Sequence, residues 1–244
     1  MSISILRKVY YYLFNNKIVR IKKPGQLHGY NWILDKNYGR AYFKGYYEPK
    51  LTSYILDNLS HDGCFIDIGS HAGYFSLLAS SVAKDGRVLS FEPEPNNYAF
   101  IQKIAKLNNI SNWTFINAAV GNENGELRFR KGMTSSTGFV DVHGDIVVKQ
   151  ITLDSFLKDL EIFRIDLIKI DVEGFAANVL RGGIESLLLC KPEILLECHA
   201  NSNEFEVAWE LLNDKFDFYD FLNGQLISNF TYEQIDFVLI KPKK

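Results

Sequence analysis

The chain has 244 residues, 47% of them hydrophobic, enough to bury one sizeable core, and a formal net charge of −2. That balance excludes a global field attracting nucleic acid, and no run reaches the ~18 consecutive apolar residues of a membrane span. Cysteines at 64, 190 and 198 lack metal-ligand spacing and suit a reducing compartment, so a cytoplasmic protein is expected.

Residues 1–23 hold six basic side chains (Arg7, Lys8, Lys17, Arg20, Lys22, Lys23), four aromatic ones (Tyr10, Tyr11, Tyr12, Phe14) and no acid. Charges and asparagines interrupt the apolar residues, so a signal peptide is not expected. The pattern predicts a helix that packs on the domain edge or on a second copy of the chain, or that lies on the inner face of an anionic membrane. Residues 26–43 read as a β-hairpin lead-in. Together these make an N-terminal region, 1–45, ahead of one domain spanning 46–244. Leu51, Tyr54, Ile55, Leu56 and Leu59 give residues 49–60 a helical pattern.

Residues 64–76 are the most informative. Cys64, Phe65 and Ile66 form a short apolar run that leads to Asp67. Gly69 and Gly73 flank Ser70, His71 and Ala72, and Tyr74–Val82 is an apolar helical stretch. A buried strand, a glycine turn and a helix N-terminus with free backbone N–H groups make a cofactor junction. The spacing is not the G-x-G-x-x-G of dinucleotide sites, and no Lys follows Gly73 as in a P-loop. Asp67 brings negative charge to the turn, which suits the sulfonium and α-amino group of S-adenosylmethionine, reached directly or through water. A second strand, Arg87–Phe91, ends at Glu92, where a carboxylate can accept from both ribose hydroxyls of an adenosine. Pro93 and Pro95 stop that strand and open a helix over Asn96–Asn108. The plainer reading makes Asp67 a helix cap and Glu92 a solvated acid. Two acids at successive strand ends, with the glycine pair between, favour the cofactor.

Trp113–Val120 reads as a third strand, with Asn117 and Ala118 near its carboxyl end. Residues 121–150 are rich in Gly, Ser, Thr and Asn and predict a β-ribbon insertion with a mobile loop at Lys131–Gly138, of the kind that shapes substrate sites. Leu167–Ile170 and Glu193–Cys198 are the fourth and fifth strands, and Phe205–Leu212 is a helix. Phe216–Leu222 and Ile235–Ile240 close the sheet as an antiparallel pair. Alternating strands and helices predict a mostly parallel sheet with helices on both faces.

Ligands of such sheets sit beyond the carboxyl ends of the strands. Asp171 and Glu173 follow the fourth strand, and Glu197 and His199 end the fifth. Two carboxylates there can take a proton from a substrate hydroxyl, keep the surroundings of a sulfonium negative, or bind a divalent ion that orients two hydroxyls. The plainer readings are a helix-dipole acid for Glu173 and a structural histidine for His199. No H-x-x-x-H or C-x-x-C pattern is present, so no metal is expected.

The segments YYEPKLTSYI (46–55), FIDIGSHAGYFSLLAS (65–80), VLSFEPEPNNYAFIQKIAKLNNI (88–110), NAAVGNENGELRF (117–129), ITLDSFL (151–157), DLIKIDVEGFAANVLRGG (166–183) and KPEILLECH (191–199) run in one order. In that order the chain resembles the FkbM-type S-adenosylmethionine-dependent methyltransferases over roughly residues 40–200. FEPEP, TLDSF and KIDVEG are its specific parts; the DIG turn alone suits many class I methyltransferases.

The resemblance implies a Rossmann-like class I fold with a seven-stranded, mostly parallel sheet and an antiparallel last strand. It implies S-adenosylmethionine held by Glu48, Asp67, Gly69, Ser70, His71, Gly73, Glu92, Pro93, Asn117, Ala118 and Asp171, with Glu48 either at the α-amino group or, in the plainer reading, a turn residue before Pro49. The acceptor it implies is a hydroxyl of a sugar, glycan or small metabolite. The base for an alcohol nucleophile is then Asp171 or Glu173, with His199 as runner-up. The family turn reads close to DIGAN-x-G, and Ser70 and His71 replace its Ala-Asn pair. His71 then lies beside the methionine portion, where it hydrogen-bonds as Asn would or titrates near neutral pH. An amino methyltransferase of adenine or cytosine is expected to carry N/D-P-P-[FYW] where this chain has Asp171-Val172-Glu173-Gly174. Two other classes compete. One is an inactive nucleoside-binding module of a polysaccharide-modifying assembly, against which the intact acids argue. The other is a nicotinamide dehydrogenase, disfavoured by the glycine spacing.

Overall fold

The computed structural model describes residues 16–23, 25–35, 38, 40–44, 47–132, 138–200, 202–230 and 235–243. Its first elements depart from the sequence reading. Lys17–Arg20 is a strand, β1, paired antiparallel with β2 (Asn31–Leu34). β-Branched Ile18 and Val19 favour extended backbone, and Trp32 and Leu34 alternate inward to hold the pair. The N-terminal helix therefore does not reach residue 23, the hairpin begins earlier than 26–43, and Arg40–Lys44 is a short helix, α1. Residues 1–15, which carry most of the basic aromatic pattern, lie outside the described residues, as does most of the 131–138 loop.

Helix α2 (Pro49–Asn58) starts at Pro49, whose missing N–H suits a first helical position. Strand β3 (Cys64–Ile68) is buried throughout and leads into α3 (Tyr74–Val82). Strand β4 (Arg87–Phe91) leads into α4 (Pro95–Leu107), which Glu94 caps by accepting from the Asn97 N–H at 2.8 Å. The expected third strand is two. β5 (Trp113–Ile116) stays beside β4, and after a break at Asn117 and Ala118, β6 (Ala119–Val120) joins a second sheet. That sheet adds β7 (Gly125–Arg130), β8 (Phe139–Val140) and β9 (Ile146–Ile151) in the order β6-β9-β7-β8. Helix α5 (Leu153–Asp159), capped by Thr152, precedes β10 (Leu167–Ile170). Then come α6 (Ala176–Gly182), α7 (Ile184–Cys190), β11 (Glu193–Glu197), α8 (Glu204–Leu212), β12 (Phe216–Asp220), β13 (Leu226–Ile227) and β14 (Phe237–Pro242).

Among the described residues the main sheet is mixed and eight-stranded, in the order β13-β12-β14-β11-β10-β3-β4-β5. Pairings from β11 through β10, β3 and β4 to β5 are parallel, and the three pairings that involve β14 and β12 with β11 and β13 are antiparallel. The expected seven strands with a single antiparallel one undercount this. Leu226–Ile227 is too short to show strand periodicity in the sequence, yet it pairs with β12 at the edge. Apolar clusters cover both faces. Alternation puts Ile66 and Ile68 of β3 with Ile168 and Ile170 of β10 on one face. Phe65 and Leu167 pack on the other, under α3. Asp67 and Lys169 share that second face, and their register places them side by side.

Candidate active site

A cavity of about 240 Å³ opens at the carboxyl ends of β3, β4, β10 and β11. Its floor is the turn after β3, where Gly69 and Gly73 adopt φ of 81° and 75°. A Cβ on Gly69 would lie 1.8 Å from the Asp171 carbonyl oxygen, so only glycine lets the two strand ends approach this closely. The turn is not the open cradle the sequence suggests. The Gly69 and Ser70 N–H groups donate to the Phe91 carbonyl at 3.0 and 3.2 Å, and the His71 N–H donates to Glu92 Oε2 at 2.8 Å.

Glu92 lines the cavity and is 5% exposed. Its Oε1 also accepts from the Glu94 N–H at 3.0 Å. Burial pushes its carboxyl up to about 7. Asn117 gives its amide to the Glu92 and Pro93 carbonyls at 2.8 and 3.1 Å, tying the ends of β4 and β5 together. The wall includes Pro93 and Ala118 but not Asn117. Ser70 and His71 line it too, and the Tyr42 hydroxyl meets His71 Nδ1 at 3.1 Å. Burial pushes His71 down to about 4, which favours the neutral hydrogen-bonding option at this position over titration near pH 7.

Asp67 and Gly73 lie behind the wall rather than in it. Asp67 is fully buried at the end of a chain of donors. Trp113 Nε1 donates to Ser90 Oγ at 2.5 Å, the Ser90 and Ser76 hydroxyls are 2.6 Å apart, and Ser76 donates to Asp67 Oδ2 at 2.5 Å. Asp67 Oδ1 has no hydrogen bond among the described residues and faces Lys169 Nζ at 3.8 Å. Lys169, 2% exposed, also donates to Asp171 Oδ2 at 3.0 Å. Burial alone would lower the Lys169 pKa, but Asp171 and Asp67 outweigh it and hold the ammonium above its ordinary range. Sequence reasoning missed Lys169. The signal was a lone cation inside the apolar run Leu167–Ile170, in register with an aspartate on the adjacent strand.

Four further carboxylates face the cavity: Glu48, Asp171, Glu173 and Glu197. Burial raises Glu48 and Glu173, and burial with the neighbouring Asp171 charge pushes Glu197 up to about 7. His199 stands beside the wall. Its Nε2 is 3.5 Å from Glu173 Oε2 and 4.0 Å from Asp171 Oδ1, while Nδ1 is 3.3 Å from Glu204 Oε2. The Glu204 bond and the surrounding acids push His199 up to about 9. The structure thus brings Asp171, Glu173 and His199 together, from two loops 26 residues apart. Phe129, Gly138 and Val140 of the second sheet's segment form part of the cavity wall.

A mixed α/β sheet with a carboxylate-lined cavity at the carboxyl ends of its parallel strands defines an S-adenosylmethionine-methyltransferase-like fold. Residues 67–233 match the methyltransferase FkbM domain, and the chain belongs to that family. It is 24% identical over 165 residues to the hexuronic acid methyltransferase AglP of Haloferax volcanii, a match covering 66% of each chain. It is 24% identical over 178 residues to Methyltransferase 1 of Beauveria bassiana, over 63% of this chain and 72% of that one. The crystal structure of the methyltransferase FkbM from Methylobacillus flagellatus KT superposes with a TM-score of 0.54 at 17% identity, over 75% of this chain and 44% of that one. The chain spans just under two thirds of the first relative and less than half of the crystallised one.

Proposed function

We propose that this chain is an S-adenosylmethionine-dependent methyltransferase acting on a hydroxyl of a sugar, glycan or small metabolite. The observation that carries the cofactor is the charge of the cavity. Among the described residues five carboxylates line it, from Glu48, Glu92, Asp171, Glu173 and Glu197, against the Lys169 ammonium. Such a wall disfavours a pyrophosphate and suits a cation. Family membership and the parallel strand order β11-β10-β3-β4-β5 support the finer reading of a class I methyltransferase sheet extended at its antiparallel edge.

S-adenosylmethionine supplies an electrophilic methyl group on a sulfonium. In this reading Glu92 accepts from the ribose hydroxyls with the lone pairs its backbone donors leave open. Pro93 and Ala118 flank the adenosine, and His71 stands at the methionine end as a neutral hydrogen-bonding group. Asp67 acts at one remove: it anchors Lys169, which fixes the Asp171 carboxylate at the mouth. Glu48, Asp171 and Glu197 keep the surroundings of the cation negative. The acceptor hydroxyl is oriented beside Asp171, Glu173 and His199, and its proton passes to Glu173, whose carboxyl is raised by burial. The cavity wall would align the acceptor with the methyl group and exclude water.

The AglP similarity directs the acceptor screen to hexuronic acids. Transfer of a labelled methyl group from S-adenosylmethionine should be measured on hexuronic-acid glycosides and on matched neutral sugars. A labelled methyl ether on a former hydroxyl of either supports the reading, whereas label only in a methyl ester of the hexuronic carboxylate contradicts the hydroxyl acceptor. Label in amino-sugar nitrogen alone, or in no glycan or small hydroxyl compound while the protein binds the cofactor, contradicts the acceptor class.

A further inference from the structure

We propose that Asp171, Glu173 and His199 bind a divalent metal ion of the borderline type, such as Mn²⁺, Fe²⁺ or Zn²⁺, at the mouth of the cavity. One oxygen from each carboxylate and one histidine nitrogen lie within 4.8 Å of one another. Glu204 fixes the tautomer. It is 0% exposed, and its carboxylate already accepts from the Ala176 and His199 N–H groups at 2.9 and 2.7 Å and from the Ser202 hydroxyl at 2.8 Å. A carboxylate so held can only accept, so the proton of a neutral His199 ring sits on Nδ1, 3.3 Å from Glu204. Nε2 is then the nitrogen that can bind an ion once its proton is displaced, and it faces Glu173 and Asp171. A buried carboxylate orienting a histidine whose other nitrogen meets open carboxylates is the arrangement that tunes histidine ligands in metal sites.

The spacing leaves room for an ion. Nε2 is 3.5 Å from Glu173 Oε2 and 4.0 Å from Asp171 Oδ1. Donors each about 2.1 Å from a shared ion lie roughly 3–4.2 Å apart, and both Nε2 separations fall in that range. Lys169 holds the other Asp171 oxygen, Oδ2, so Oδ1 is the one presented. One imidazole with two carboxylates favours Mn²⁺, Fe²⁺ or Zn²⁺ over Mg²⁺ or Ca²⁺. The ion also offsets a mouth that is otherwise acidic and would repel an anionic acceptor.

Metal binding stands without the methyl-transfer reading; the ion's role rests on that reading. There it takes the acceptor oxygen as a further ligand and lowers the hydroxyl pKa. Each carboxylate gives the ion one oxygen, so the second oxygen of Glu173 remains to accept the proton.

The test is Mn²⁺ added to chelator-treated full-length protein, followed by electron paramagnetic resonance. A single tightly bound equivalent with nitrogen coupling from one imidazole is expected. His199→Gln should lose that coupling and bind at least 10-fold more weakly. Glu204→Gln should weaken binding by about 10–100-fold through orientation alone. Glu173→Gln, a change on a half-exposed loop, keeps the test open should the buried variant fail to fold. Wild type binding no tighter than Glu173→Gln, or Mn²⁺ bound without nitrogen coupling, overturns the site. S-adenosylhomocysteine titrated into the same samples reads the cofactor site separately: its failure with Mn²⁺ retained counts against the methyl-transfer reading, not against the ion.

Discussion

Replacing Lys169 by Met removes the cation between Asp67 and Asp171 while keeping most of the side chain's volume. The ammonium lies 3.8 Å from one carboxylate and 3.0 Å from the other, with Lys169 and Asp67 side chains 3% and 0% exposed. At an effective dielectric of ~20 these contacts are worth roughly 4 and 6 kcal/mol before desolvation. Desolvation of the ions offsets much of that, and breaking a buried pair costs about 3–5 kcal/mol because a charge is left without its partner. The loss depends on pH. Burial already raises the Asp67 carboxyl above its ordinary value, and without Lys169 it rises further. A carboxyl raised in the fold contributes stability below its unfolded pKa and loses it as pH climbs through the folded one. The Lys169→Met deficit should therefore be about 3–5 kcal/mol at pH 8 and smaller at pH 5. Adding Asp67→Asn should recover at least half of it. Urea unfolding followed by tryptophan fluorescence at both pH values measures this. A deficit below about 1 kcal/mol, or one equal at both pH values, would refute the buried-pair reasoning.

Glu92, pushed up to about 7 by burial, should cost wild-type stability as pH rises from about 4.5 to about 7. Glu92→Gln should flatten that fall by about 3 kcal/mol in urea midpoints taken across the range. The same substitution should weaken S-adenosylhomocysteine by roughly 10–100-fold through lost charged hydrogen bonds. His71, pushed down to about 4, is neutral above pH 5.5, so the affinity ratio of wild type to His71→Asn should stay constant between pH 5.5 and 8 in calorimetry. Gly69→Ala forces a left-handed non-glycine residue and a 1.8 Å clash with Asp171. It should destabilise by about 3 kcal/mol or more in thermal unfolding, and a wild-type melting point would contradict the close approach of β3 and β10.

The parts of the fold legible in the sequence are those whose residues carry their own periodicity. Cys64–Ile68, Arg87–Phe91 and Leu167–Ile170 are apolar runs that need no partner to be recognised, and the glycines and acids at their ends mark the cavity floor. Register between strands leaves no mark in one sequence. Lys169 reads as an interruption of an apolar strand until β10 aligns it with Asp67. For the same reason neither the ammonium beside Asp67 nor the placement of Asp67 behind the cavity wall can be read from the sequence. The convergence of His199 with Asp171 and Glu173 follows from adjacent parallel strands ending at one level, which the strand-end positions in the sequence already indicate, while their spacing of 3.5–4.0 Å leaves no mark there. Lys17–Arg20 was misread because its basic residues fit an amphipathic helix as well as an exposed strand, and pairing with Asn31–Leu34 decides between them.

Calorimetric titration of the purified chain with S-adenosylhomocysteine, beside Glu92→Gln and NAD, goes straight to the cofactor. Micromolar binding by the wild type, weakened by roughly 10–100-fold in the variant and absent for NAD, is the result this structure predicts. A folded wild type that ignores S-adenosylhomocysteine, or binds NAD in its place, would contradict the reading of the cavity.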